Sequence, residues 1–144
     1  MSIGARVLAL FISVDSAAKR VEKEKLELDE NGILDDKFYA KNKDRLILIT
    51  SVAAYRLAKE SGVELVYGCL GENILIDNDI KDLAIGSQFR IGDLVLEITQ
   101  NCTLCKGLST LDTNLPDILK NDRGIFAKAV TNGTIKKEDI VSII

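Results

Sequence analysis

The chain has 144 residues, of which 47% are hydrophobic and 28% are charged. This size and composition predict one globular domain, spanning residues 1–144, and leave no room for a second full domain. Nineteen basic residues against twenty-two acidic residues give a net charge of -3. We therefore expect no binding of nucleic acid or of an anionic membrane, because no large positive field is present.

The chain contains no histidine. This excludes Ser-His-Asp triads, Cys-His pairs and HExxH zinc sites. Chemistry is left to carboxylates, to lysine and arginine, and to three cysteines, Cys69, Cys102 and Cys105. Three is odd and one short of a four-thiolate zinc site, so neither a disulfide-stapled secreted domain nor a zinc ribbon fits. We expect a cytoplasmic protein.

The first predicted elements are two strands. The apolar run at residues 7–14 is too short for a membrane span and lacks the layout of a signal peptide, so it predicts a buried first strand over residues 6–14. Apolar and charged residues alternate over residues 21–28, as in a strand with one solvent-facing side. Asn31-Gly32 then predicts a turn.

A polar loop over residues 35–44 separates these strands from the one clear helix. A short apolar strand is predicted at residues 46–49. Apolar residues at helical spacing then predict a helix over residues 51–61, with Thr50 or Ser51 as its N-cap and a glycine at its end.

The second half is richer in strands. Short strands are predicted at residues 74–76, 87–91 and 94–99, and Gly92-Asp93 makes the last two a hairpin. Residues 115–120 contain a proline suited to the first turn of a short helix.

Two more strands are predicted near the C-terminal end, at residues 124–130 and 135–143. Asn132-Gly133 between them indicates a hairpin or another sharp turn. Because the strands come as hairpins and meanders, we expect a mainly β fold, an antiparallel, barrel-like single domain with a few peripheral helices.

Cys102 and Cys105 form a CxxC sequence just after the strand at residues 94–99, and loops at strand ends often carry function. Three alternatives remain open from these residues: a redox dithiol, a metal site shared with Cys69, and small buried hydrophobic side chains. For Cys69 we favour burial. For Cys105 we favour function, because Lys106 and a nearby Arg123 would stabilise its thiolate.

Two further segments carry polar groups at glycines. Gly71-Glu72-Asn73 suits a turn that lines a polar pocket, or a turn whose side chains bond the local backbone. In Arg123-Gly124 the glycine allows a close backbone approach, and the arginine is either an anion clamp or a solvated charge.

In this order, the segments resemble the MOSC family, the domain named for the C-terminus of molybdenum cofactor sulfurases. Gly71-Glu72-Asn73 resembles the family's Gly-Glu-Asn turn, Cys105 its motif cysteine and Arg123-Gly124 its Arg-Gly pair. The similarity extends to residues 31–38, 45–51, 85–87, 90–93, 96–100 and 125–127. Within the family, the chain resembles the stand-alone bacterial form.

The chain departs from the family pattern at two places. Asp35, Lys37 and Phe38 stand where the family has Gly, Arg and His, in a stretch reading Gly-Asp-Arg-His. Asn101, Cys102 and Leu104 replace the Pro-Arg and Pro around the motif cysteine. An anion-holding arginine is thereby lost from the cysteine loop.

The resemblance implies that Cys105 is the catalytic residue, either as a molybdenum ligand or as a persulfide carrier for metal-sulfur cofactor assembly. It assigns cofactor binding to Glu72, Asn73, Arg123 and Gly71. The implied cofactor is molybdopterin, without pyridoxal phosphate, and the implied partners are molybdenum cofactor biosynthesis proteins or molybdoenzymes. The implied activity is that of a sulfurtransferase or a molybdenum-dependent reductase component, and the alternative is a non-catalytic accessory module.

Overall fold

The computed structural model of the chain describes residues 2–14, 20–78, 84–101 and 124–144. Within this part there are eleven strands and one helix. The elements are β1 (Ser2–Ser13), β2 (Arg20–Lys23), β3 (Lys25–Asp29), β4 (Gly32–Ile33), β5 (Ile47–Ser51), α1 (Val52–Glu60), β6 (Ile74–Ile76), β7 (Gln88–Ile91), β8 (Leu94–Asn101), β9 (Ile125–Ala129), β10 (Gly133–Lys136) and β11 (Ile140–Ile143). Cys102, Cys105, Arg123 and the short helix predicted at residues 115–120 lie outside the described residues.

Seven strands close into a barrel in the order β1, β11, β7, β8, β9, β5, β6 and back to β1. This confirms the predicted mainly β, barrel-like fold. One pair departs from the antiparallel pattern, since β5 and β6 run parallel. The reason is α1, which follows β5 directly and returns the chain to the start of β6, as a parallel pair requires.

A small second sheet of β10, β3 and β4 packs against the barrel. Its Leu26, Leu28 and Ile135 belong to the same buried cluster as the barrel interior. The strand predicted at residues 21–28 is therefore two strands interrupted at Glu24, because β2 pairs with β1 whereas β3 pairs with β10.

The hairpin interpretation of Asn132-Gly133 is wrong. Strand β9 pairs with β5 and β8, whereas β10 belongs to the small sheet, so the two strands flanking this dipeptide do not pair. The chain bends at Val130 and Thr131 instead. A side chain at Gly133 would bring its Cβ to 2.9 Å from Leu94 Cδ1, so the glycine serves close packing between the two sheets.

Helix α1 packs on the outside of the barrel. Its Ala54, Tyr55 and Ala58 form a second buried cluster with Phe11 of β1 and Leu75 of β6. The helix begins where the sequence predicts, because the Ser51 hydroxyl accepts a hydrogen bond from the Ala53 amide at 3.1 Å. In the part of the chain that the structure describes, no helix is long and apolar enough to cross a membrane.

Candidate functional site

Asn73 connects β5 to β1 immediately before β6 begins. Its backbone N–H donates to the Leu48 carbonyl at 2.8 Å, and its side-chain Oδ1 accepts from the Leu48 amide at 3.0 Å. The side-chain Nδ2 donates to the Phe11 carbonyl at 3.2 Å. With only 4% of its surface exposed, Asn73 uses both ends of its amide to hold the barrel wall together.

Asp36 joins the loop after β4 to this position. Its Oδ1 accepts from the Ser13 amide at 2.7 Å and from Asn73 Nδ2 at 3.4 Å, and its Oδ2 accepts from the Phe38 amide at 3.1 Å. The preceding residue, Asp35, has a φ of 72°, in the left-handed region. This accounts for the glycine of the family pattern at that position, since glycine enters this region without steric cost.

The side chain of Glu72 points toward α1, whereas that of Asn73 points toward the barrel strands. Glu72 is fully buried, and its Oε2 accepts from the Tyr55 hydroxyl at 2.5 Å and from the Gly68 amide at 3.1 Å. The Tyr55 oxygen also lies 3.0 Å from the Gly68 amide, which donates to it. Glu72 therefore ties the loop after α1 to the helix, whereas its neighbour Asn73 ties the barrel strands.

The thiol of Cys69 lies beside this network. Burial raises the pKa of Cys69, and the charge of Glu72 raises it further. Burial is also the main cause that raises the pKa of Tyr55, followed by the charge of Glu72. Cys69 packs against the apolar cluster around α1, in agreement with the hydrophobic role predicted for it.

The glycines of two motifs approach the same strand. Gly124 has a φ of 115°, and a Cβ there would overlap the Ile49 carbonyl and lie 2.8 Å from Thr50 Oγ1. The close backbone approach predicted at Gly124 is thus confirmed. Gly71, with a φ of 87°, lies against Leu48 of the same strand, since a Cβ there would lie 3.9 Å from Leu48 Cδ2.

The strand register relates the cysteine segment to the Gly-Glu-Asn turn. Asn101, the residue before Cys102, pairs with Ile125; Ile125 pairs with Ile49; and Ile49 pairs with Ile74. Neighbouring strands lie about 4.8 Å apart, so Asn101 is about 14 Å, or three strand spacings, from the residue that follows Asn73.

The structure places Gly71, Glu72 and Asn73 but not Cys105 and Arg123. The expectation that Cys105 and Arg123 converge with Glu72 and Asn73 on one pocket therefore stays a prediction. The described residues hold no group of three or more cysteine or acidic side chains placed to bind a metal ion. The metal site suggested for the three cysteines, like the CxxC pair, depends on residues outside the described part.

Two residues of this region were not predicted as site residues. Asp36 stands in the stretch that resembles the family pattern, and its position next to that pattern's glycine was the available signal. Tyr55 lies within the predicted helix, and its hydroxyl on the buried helix face was the signal that a polar partner such as Glu72 lies opposite.

The sequence profile of the MOSC domain matches residues 35–142. Among solved structures, YuaD from Bacillus subtilis is 18% identical, with a TM-score of 0.84 over 95% of this chain and 93% of that one. YiiM from Geobacillus stearothermophilus is 12% identical, with a TM-score of 0.75 over 97% of this chain and 75% of that one. YiiM from Escherichia coli is 17% identical, with a TM-score of 0.72 over 96% and 69%, respectively.

No curated protein matches the chain in sequence. At these low identities the solved structures show the fold, a barrel shared along nearly the whole chain. The profile match covers well over half of the residues, from Asp35 through the Gly-Glu-Asn turn to β11. The chain therefore belongs to the MOSC domain family, which is associated with proteins of the molybdenum cofactor.

Proposed function

We propose that the protein binds the molybdenum cofactor or carries sulfur destined for it, and that Cys105 is the reactive thiol. The observation that carries the proposal is the family match over residues 35–142, which includes Cys105 and the Gly71-Glu72-Asn73 turn. Three residues from motif segments that are far apart in sequence also support it. Asn73 bonds Leu48 of β5, Asp36 bonds Asn73, and Gly124 packs against β5.

Chain length allows Cys105 to approach this region. It follows Asn101 by four residues, and an extended chain spans at most about 3.6 Å per residue, or about 14 Å in all. That reach equals the separation between Asn101 and the turn at Asn73. The residues on either side of the cysteine segment also lie next to each other, because Asn101 pairs with Ile125.

The chemistry of the residues fits the cofactor. A thiolate is a soft ligand suited to a transition metal, and the chain has no histidine to compete for that role.

In this proposal Cys105 is the molybdenum ligand, and the bound metal would supply two-electron redox chemistry. The Gly71-Glu72-Asn73 turn would adjoin the cofactor, with the side chains of Glu72 and Asn73 holding that turn to α1 and to β5, respectively, and Arg123 would clamp the anionic end of the cofactor. Asp36 and Tyr55 position that turn, since they bond Asn73 and Glu72. The roles of Cys105, Gly71, Glu72, Asn73 and Arg123 follow the family motif residue by residue, whereas those of Asp36 and Tyr55 follow from their hydrogen bonds.

A persulfide carrier is the second form of the same proposal. The Cys105 thiolate attacks the terminal sulfur of a donor persulfide, a new S–S bond forms at Cys105, and the donor thiolate leaves. No net oxidation occurs. Cys102, three residues before Cys105, is close enough in sequence to attack the persulfide and release the sulfur as hydrosulfide, leaving a disulfide.

A non-catalytic accessory module of cofactor biosynthesis is the alternative. One observation favours it: the Asn73 amide is engaged by Leu48, Phe11 and Asp36, so it acts within the protein framework. In this case the barrel surface binds a partner protein and the thiols are inert.

Purification from a molybdate-fed host distinguishes these proposals. Wild type, Cys105→Ser and the control Cys69→Ser are compared for molybdenum, for pterin and for an added sulfur atom in the intact mass. If molybdenum and pterin are present in wild type and Cys69→Ser but absent from Cys105→Ser, Cys105 is a metal ligand. If an added sulfur atom shows the same pattern, Cys105 is a sulfur carrier. Wild type with neither group would contradict both forms and favour the accessory module.

A further inference from the structure

Arg45 lies on the outer face of the barrel, just before β5. Its guanidinium carbon stands 4.8 Å from the centre of the Phe126 ring. Phe126 and Leu48 form a small buried cluster of their own, separate from the barrel interior and from the cluster under α1. Arg45 itself is exposed. The ring therefore holds one face of the guanidinium while its N–H edges remain open to solvent.

The backbone around Arg45 is fixed as well. The Arg45 amide donates to the Asn42 carbonyl at 3.0 Å. The Thr99 hydroxyl of β8 donates to the Asp44 carbonyl at 2.7 Å, which attaches this loop to the strand leading to Asn101. Both the main chain and the side chain of Arg45 are thus held in place before any ligand binds.

No carboxylate of the described residues forms an ion pair with Arg45. The ion pairs found in that part join Arg6, Lys128 and Lys137 to glutamates elsewhere. Ordering an arginine side chain costs conformational entropy, and here no salt bridge offsets that cost. An ordered guanidinium with open donors is suited to a planar, bidentate interaction with an oxyanion.

We propose that Arg45, stacked on Phe126, binds a tetrahedral oxyanion, the chemical class of a phosphate monoester and of molybdate. The identification of the anion as part of the cofactor or its metal precursor rests on the proposed function. Binding of the oxyanion itself does not.

Phe126 places this site beside the candidate site. It pairs with Leu48 on one side and with Gln100 on the other. Leu48 is the residue that Asn73 bonds through two hydrogen bonds. An oxyanion at Arg45 would therefore lie two strands from the Gly-Glu-Asn turn and close to the strand end that leads into the cysteine segment.

The test is an NMR titration of the ¹⁵N-labelled full chain with sodium phosphate, methyl phosphate and sodium molybdate, and with sodium chloride as the control at matched ionic strength. We expect saturable shifts at the amides of Arg45, Leu48 and Phe126 with the oxyanions only. Tighter binding of methyl phosphate assigns the site to a monoester, and tighter binding of molybdate assigns it to the metal oxyanion.

Three variants complete the experiment. Arg45→Gln should weaken oxyanion binding about tenfold or more, since a charge-assisted bidentate contact is lost. Arg45→Lys should restore only part of it, because lysine keeps the charge but not the planar fork. Arg90→Gln, at another exposed arginine, should bind like wild type.

Unchanged binding in Arg45→Gln, or shifts of the same size with chloride, would overturn the proposal. The titration and the proposed function have separate readouts. Oxyanion binding is read at the amides of Arg45 and Phe126, whereas the proposed function is read from molybdenum, pterin or added sulfur in the purified protein, so either can fail without the other.

Discussion

The side-chain amide of Asn73 donates to the carboxylate of Asp36 across 3.4 Å, although 37 positions separate the two residues in sequence. Each residue also bonds β1, Asn73 at the Phe11 carbonyl and Asp36 at the Ser13 amide. Two of the segments that resemble family motifs are thus joined through one strand. The Gly-Glu-Asn turn is part of the barrel framework as well as a candidate binding element.

Asn73→Ala should therefore lower the free energy of unfolding by about 2–6 kcal/mol. The substitution leaves the buried Leu48 amide and Phe11 carbonyl without their side-chain partner, at about 1–3 kcal/mol for each buried group. Urea unfolding followed by far-UV circular dichroism measures the change. Asn132→Ala, at an exposed asparagine, is the control and should change stability by less than about 0.5 kcal/mol.

Gly124→Ala should be among the most destabilising single substitutions in the barrel, at about 3 kcal/mol or more. The added Cβ would collide with the Ile49 carbonyl, and φ at this position is 115°. Gly86→Ala is a matched control, because Gly86 also has a positive φ, 89°, but open space around it. Similar losses of stability in the two variants would contradict the close approach at Ile49.

Asp35→Gly should raise the free energy of unfolding by about 0.5–1 kcal/mol. Asp35 adopts a φ of 72°, which glycine tolerates better than a residue with a side chain. Glu30→Gly is the control, because Glu30 lies in a neighbouring turn without a positive φ and should lose stability. A destabilised Asp35→Gly variant would show that the Asp35 side chain contributes more than its backbone strain costs.

Local patterns predicted the strands and the helix because those elements depend on nearby residues. Ser51 as N-cap and the hairpin at Gly92-Asp93 were confirmed by the cap hydrogen bond and by the pairing of β7 with β8. The division of residues 21–28 into β2 and β3 was missed, and so was the division of residues 135–143 into β10 and β11, which pair with different strands. Alternation of polar and apolar residues continues across Glu24, whereas the change of partner strand is a property of the whole fold.

The direction in which neighbouring residues point was not predictable from the motif alone. Glu72 and Asn73 were expected to line one pocket, and the structure directs Glu72 to Tyr55 and Asn73 to Leu48. These partners belong to α1 and β5, which the sequence does not place relative to the turn. The parallel pairing of β5 and β6, which defines this junction, follows from the helix between them.

Stability should fall as the pH rises above about 8.5, the ordinary pKa of a cysteine thiol. Burial and the charge of Glu72 raise the pKa of Cys69 in the folded protein. The folded state thus retains its proton after the unfolded chain has lost it, so the stability contributed by Cys69 is complete below the unfolded pKa and lost above it. Tyr55, whose pKa burial also raises, adds to the loss above about pH 10.

The measurement compares urea unfolding from pH 7 to 9.5 for the Cys102→Ser/Cys105→Ser double variant and for the same protein with Cys69→Ala. The decline in stability should be steeper when Cys69 is present. Parallel pH profiles would contradict the raised pKa of this thiol.

The central claim is that Cys105 is the reactive thiol and that Cys69 has a packing role only. Alkylation rates of single thiols, measured against pH, test this claim. One protein keeps only Cys105 (Cys69→Ser/Cys102→Ser) and the other keeps only Cys69 (Cys102→Ser/Cys105→Ser). In the proposed site, where Lys106 and Arg123 stabilise its thiolate, Cys105 should titrate below about 8.5 and react faster at pH 7, whereas burial should make Cys69 titrate above that value. A Cys105 that titrates at or above about 8.5, or reacts more slowly than Cys69, would contradict the proposed sulfur and metal chemistry.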